Sequence, residues 1–147
     1  MDFQITSPST PNYNCIAWAA DDNSRWWQPD PMGDYYWPEN LPRESTLESY
    51  TEAFKILGYE ICDDESLELG FQKIAIYFKD DIRSIHAARQ LNNGRWTSKL
   101  GSEVDIEHNF IRQWSTLKDS SSGRTINLSG YGQLRIILRK PLNLSGN

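Results

Sequence analysis

Cysteine is scarce in this sequence: Cys15 and Cys62 are the only two among 147 residues, so a disulfide-stapled scaffold is excluded and both are expected as free thiols. Histidine is just as scarce. His86 and His108 lie far from each other and from both cysteines along the chain, whereas structural zinc sites draw on closely spaced ligand pairs, so no metal is expected. Basic charge is in deficit. Twenty acidic against fifteen basic residues leave a formal charge of -5 and a pI near 5.0, a balance that repels phosphate backbones and argues against nucleic acid as a partner. No apolar run approaches a membrane span, and the opening MDFQITSPST has neither the basic nor the apolar region of a secretion signal. The expectation is a cytoplasmic protein without membrane contact or cofactor. Without secretion, the Asn-Leu-Ser sequences at Asn127 and Asn143 read as turns rather than glycosylation sites.

What is abundant is aromatic: six Trp, seven Tyr and five Phe, within an ordinary globular balance of 38% hydrophobic and 24% charged residues. The length suits a single domain over residues 1–147. Within it, residues 21–43 form a long loop without period, in which Trp26, Trp27, Tyr35, Tyr36 and Trp37 are interleaved with prolines, the profile of a lid or binding segment. Residues 119–147 read as a C-terminal strand extension.

Local patterns predict the elements between. Asn12 or Asn14 caps a short Ala-rich helix that begins at Cys15. Ser45-Thr-Leu-Glu48 reads as a capping box, followed by Leu47, Tyr50, Phe54 and Leu57 on one helical face and Gly58 as the stop. Lys73 to Phe78 alternates as a strand, and Asn93-Gly94 between two further runs signals a two-residue hairpin turn pairing Leu91 with Trp96 and Arg89 with Ser98. In that register Ser98 faces away from His86. Asp105 to Leu117 carries Ile106, Phe110, Ile111 and Trp114 at helical spacing, which predicts a second helix. Strands at 125–128 and 134–139 close the chain. The sum is an α+β fold, with helices packed on a small antiparallel sheet.

A thiol attacks only as thiolate, and the start of a helix favours negative charge, so Cys15 is the candidate nucleophile. Such a cysteine needs an imidazole to take its proton, and His86 on the predicted hairpin is the candidate base. Asp105, or alternatively Glu103, would orient His86, while the Cys15 N–H and an Asn12 or Asn14 side chain would hold the oxyanion. Trp26, Trp27 and Trp37 would line a substrate groove.

The words Asn-Cys-Ile-Ala-Trp-Ala (14–19), Lys-Ile-Ala-Ile-Tyr (73–77), His-Ala-Ala-Arg-Gln-Leu (86–91), Trp-Thr-Ser-Lys-Leu-Gly (96–101) and Asp-Ile-Glu-His (105–108) resemble an uncharacterised bacterial domain family. Tyr-Gly-Gln-Leu (131–134) and Leu-Arg-Lys-Pro (138–141) extend the resemblance to nearly the whole chain. In outline, a Cys at a helix start followed by strands bearing a His resembles the papain-like peptidases of the NlpC/P60 group. That resemblance implies a papain-like core and a cysteine hydrolase or acyl transferase acting on an amide, isopeptide or thioester bond of a protein or peptide-like substrate. The NlpC/P60 histidine position is occupied here by Lys73, so His86 would have to supply the base. The alternative is a non-catalytic protein-binding domain.

Overall fold

The computed structural model describes residues 2–142. Nine strands run through it: β1 (Asp2–Ser7), β2 (Glu60–Cys62), β3 (Phe71–Lys79), β4 (Ser84–Gln90), β5 (Trp96–Lys99), β6 (Asp105–His108), β7 (Thr116–Asp119), β8 (Thr125–Asn127) and β9 (Gln133–Pro141). The helices are α1 (Cys15–Ala19) and α2 (Leu47–Ile56). All nine strands join one mixed sheet in the order β2-β9-β3-β4-β5-β6-β1-β7-β8. Every pairing is antiparallel except that of β1 with β7.

The molecule is therefore mainly β, and the expected α+β arrangement of helices on a small papain-like sheet is wrong. α1 has five residues, and α2, with ten, is the one substantial helix among the described residues. The predicted helix over 105–117 is replaced by β6, an irregular crossing and β7. Its helical spacing had a different cause. Ile106 is an inward position of a central strand, paired with Ile5 on one side and Ser98 on the other, while Ile111 and Trp114 bury themselves from the irregular segment that crosses the sheet.

α2 forms where its pattern places it, with Thr46 rather than Ser45 as cap, its Oγ1 accepting from the Ser49 N–H at 3.1 Å. Tyr50, Ala53 and Phe54 are buried, and Phe54 alone contributes about 2 kcal/mol by leaving water. α1, α2, Trp27 and Trp37 cover one face of the sheet, over Ile74, Ile76, Ala87 and Leu138. The other face carries Ala75, Tyr77, Ala88, Trp96 and Ile106 under Ile111, Trp114 and Leu117. Gly132, at φ 81, follows a 3₁₀ turn (Ser129–Tyr131) that presses on this second face; a Cβ there would sit 2.3 Å from the Phe78 carbonyl oxygen.

The hairpin between β4 and β5 is one residue out of the expected register. Gln90 pairs with Trp96 and Arg89 with Thr97, leaving a three-residue loop in which Gly94 (φ 86) follows a turn closed by Gly94 N–H to Leu91 C=O at 3.0 Å. A one-residue slip reverses which side chains share a face, and here it brings Ser98 onto the face of His86. Of the two Asn-Leu-Ser sequences, Asn127 makes a turn in which its Oδ1 accepts from the Ser129 N–H, and Asn143 lies outside the described residues. Among the described residues no helix is long and apolar enough to cross a membrane.

Candidate functional site

Asn14 organises the local structure around Cys15. Its Oδ1 caps α1 by accepting from the Ala17 N–H (3.1 Å) and also takes the Trp27 N–H (3.2 Å), while its Nδ2 donates to the Trp27 carbonyl (2.7 Å). One buried side chain thus starts the helix and pins the aromatic loop beside it, with its amide nitrogen engaged by the Trp27 carbonyl. Asn12 is exposed and engages only Thr10, through its own N–H.

Cys15 is partly buried at the first position of α1. Backbone N–H groups of Ala87, Ile16 and Cys15 itself favour a thiolate there, but burial outweighs them and pushes the thiol up to about 11. The group is a neutral thiol at physiological pH. Iodoacetamide will therefore label Cys15 at pH 7 at least about tenfold more slowly than free cysteine, as followed by peptide mass mapping; fast labelling at pH 6 would contradict this.

His86 lies on the other side of the sheet. It pairs across the ladder with Tyr77, and its ring stacks on Tyr131 (centroids 4.0 Å) and meets Trp114 edge-on (4.9 Å). Cys15 belongs to the cluster that packs on Ala87, the next residue along β4, and successive strand residues point to opposite faces. The sheet backbone stands between the proposed nucleophile and the proposed base.

What His86 does touch is a buried polar chain. Its Nε2 lies 3.1 Å from Ser98 Oγ, which lies 2.8 Å from His108 Nε2, and His108 Nδ1 lies 2.7 Å from the Asn109 carbonyl. That carbonyl can only accept, so His108 carries its proton on Nδ1, Ser98 donates to His108 Nε2, and His86 donates from Nε2 to Ser98. His86 Nδ1 is left as a buried acceptor without a partner. Burial, and to a lesser extent the neighbouring His108, hold His86 well below the usual histidine range; burial holds His108 at about 4.

Asp105 is on the Cys15 face, fully buried, where it takes a 2.6 Å hydrogen bond from the Tyr13 hydroxyl and sits across the ladder from Lys99. Glu103 meets that lysine through its backbone carbonyl. Neither acid is hydrogen-bonded to His86, and Asp105 lies across the sheet from it, so the three expected catalytic residues are not assembled. Lys73, at the position compared with the NlpC/P60 histidine, is buried and ion-paired to Asp64 (3.0 Å) and Glu68 (3.4 Å). Ser98, His108, Tyr13 and Lys99 are buried polar residues that the sequence did not assign to the site. The hairpin loop was the available signal, since a three-residue loop ending in Gly94 aligns Ser98 with His86.

The aromatic loop divides between packing and surface. Trp27 and Trp37 are buried, their indole N–H groups bonded to Asp22 and to the Pro42 carbonyl, so they build the core rather than line a groove. Trp26 is half-buried, bonded to Gln28 and tilted against Tyr35. A cleft of about 710 Å³ opens between this loop, the starts of α1 and α2, and the β3–β4 corner. Pro29, Pro31, Ile16, Ile85 and Tyr50 give it apolar walls, Cys15 lies within it, and Arg43, Glu44 and Arg83 also line it. Among the described residues no group of three or more His, Cys, Asp or Glu side chains is arranged to hold a metal ion.

Over residues 4–139 the chain matches the family described as domain of unknown function DUF7689, and it belongs to that family. Comparison with curated proteins and with solved structures gives no match.

Proposed function

We propose that this domain is a non-catalytic protein-binding module whose cleft beside Cys15 accepts an extended segment of a partner protein. The observation that carries the reading is the placement of Cys15 and His86 on opposite faces of the sheet: the concavity holds a thiol but no imidazole to activate it. Its volume of about 710 Å³ falls within the roughly 300–1,000 Å³ usual for ligand sites. Its surroundings suit a chain rather than a small metabolite. Met32 follows the lining residue Pro31 and is 83% exposed, and Ile82 precedes the lining residue Arg83 and is 60% exposed, so large apolar side chains stand free beside the opening. Exposed apolar groups next to a concavity are a recurring mark of protein contact, and methionine adapts its shape to varied partners.

Titration of ¹⁵N-labelled protein with pools of capped tripeptides tests the reading. Amide shifts are expected at Ile16, Gln28, Arg83 and Ile85, with the same response in Cys15→Ala. Shifts confined to another surface, or turnover of amide or thioester substrates that disappears in Cys15→Ala, would overturn it.

A further inference from the structure

We propose that the segment held in this cleft presents an acidic side chain to Arg83, an inference that rests on the cleft being a protein-binding surface. Arg43 is already used: its Nη1 lies 3.1 Å from Asp30 Oδ1 and its guanidinium also donates to the Tyr35 carbonyl. Asp30 in turn accepts the N–H groups of Asp34 and Tyr35, so this ion pair is closed within the loop. Arg83 differs. It is exposed at the β3–β4 corner, lines the cleft and has no ion-pair partner among the described residues. Its φ of 52 is a conformation that Asn or Gly would hold more easily, so local geometry gives no reason for an arginine there.

The rest of the wall is donor-rich. The Tyr50 and Ser45 hydroxyls line it beside the start of α2, whose first turn presents N–H groups without helical partners and the positive end of its dipole. The Cys15 thiol, pushed up by burial, adds no negative charge. Glu44, exposed on the same lining, is the opposing element. A phosphate would call for a second unpaired cation; one arginine matches one carboxylate. The cleft is an open trough with free apolar side chains beside it, which suits a chain passing across better than a chain end plugged into a socket.

The test compares acetyl-Leu-Glu-Leu-amide, acetyl-Leu-Gln-Leu-amide and acetyl-Leu-Gln-Leu with a free C-terminal carboxylate, by calorimetry and amide shifts. The Glu peptide is expected to bind about tenfold or more tightly than the Gln amide, the usual range for a charge-assisted contact. Arg83→Asn, which tolerates the backbone, should abolish that preference while keeping the thermal midpoint. Glu44→Gln should strengthen binding of the Glu peptide. Equal affinity of the Glu and Gln amides, or preference for the free C-terminus, would overturn the acidic side chain while leaving the binding reading intact. Failure of all three peptides to shift cleft amides would overturn both.

Discussion

Replacing Lys99 with methionine is expected to destabilise the protein by about 4 kcal/mol, because each of three carbonyls left without its donor costs roughly 1–3 kcal/mol. Lys99 is completely buried. Its ammonium donates to the carbonyls of Thr10 (3.0 Å), Gly101 (2.8 Å) and Glu103, so all three protons are used. These contacts tie the chain before α1 to the β5–β6 turn, and the ammonium also lies 5.2 Å from the Tyr13 ring centre. Methionine fills much of the same volume, which isolates the lost hydrogen bonds from a cavity effect. Urea unfolding measures the change, with Lys55→Met on the exposed face of α2 as a control near zero. A loss below about 1 kcal/mol would mean that water replaces the ammonium at these carbonyls.

The second large effect is a loss of stability on mild acidification. His86 and His108 are fully buried and neutral, and His86 Nδ1 has no partner to share a new proton. At pH 7 both are neutral folded or unfolded, so they contribute no pH dependence. As pH falls through the unfolded value of 6.5, the unfolded chain takes up protons that the folded state refuses, and folding weakens until the folded values are reached. For His108, held at about 4, the loss amounts to about 3 kcal/mol by that pH, and His86 adds its own. The carboxylates act later: Asp22, held at about 2 chiefly by bonds to Ser24, Trp27 and Arg25 acting against its burial, withdraws stability only as pH falls below its ordinary 3.8. Urea midpoints should therefore drop steadily between pH 6.5 and 4.5, and His86→Gln/His108→Gln should flatten that slope whatever its own stability. A flat wild-type profile would show that the buried imidazoles accept protons in place.

How much was legible in the sequence depended on whether the signal was local. α2 follows from its cap and apolar spacing, and β3, β8 and β9 fall on the runs that suggested strands, because propensity and pattern agreed there. β1 lies in the opening MDFQITSPST, for which no strand was expected although Phe3 and Ile5 alternate with polar residues, since its strand character comes from neighbours at 105–108 and 118–119. The segment from Asp105 failed for the same reason: two partner strands in space overruled a helical spacing. The closing strands were found but not their pairing, as β9 lies between β2 and β3 and β8 pairs with β7. The candidate site turned on one residue of register. Cys15 at a helix start was readable from Asn14, but on which side of the sheet His86 falls depends on the strand order and on which face the helices cover, and no local pattern carries that.

β1 also has a consequence for how the chain reaches its fold. The β7–β8 hairpin meets the rest of the sheet only through β1, which pairs with β6 on one side and β7 on the other. On the ribosome this strand emerges ahead of both partners and stays unpaired at least until residue 108 has been made, and its second edge waits for residue 119. Its docking closes loops of about a hundred residues, a late and entropically costly step that places this molecule among the slower-folding topologies. Until then Phe3 is unsheltered and two strand edges stay open, so the interval between synthesis and insertion is when self-association competes most strongly with folding.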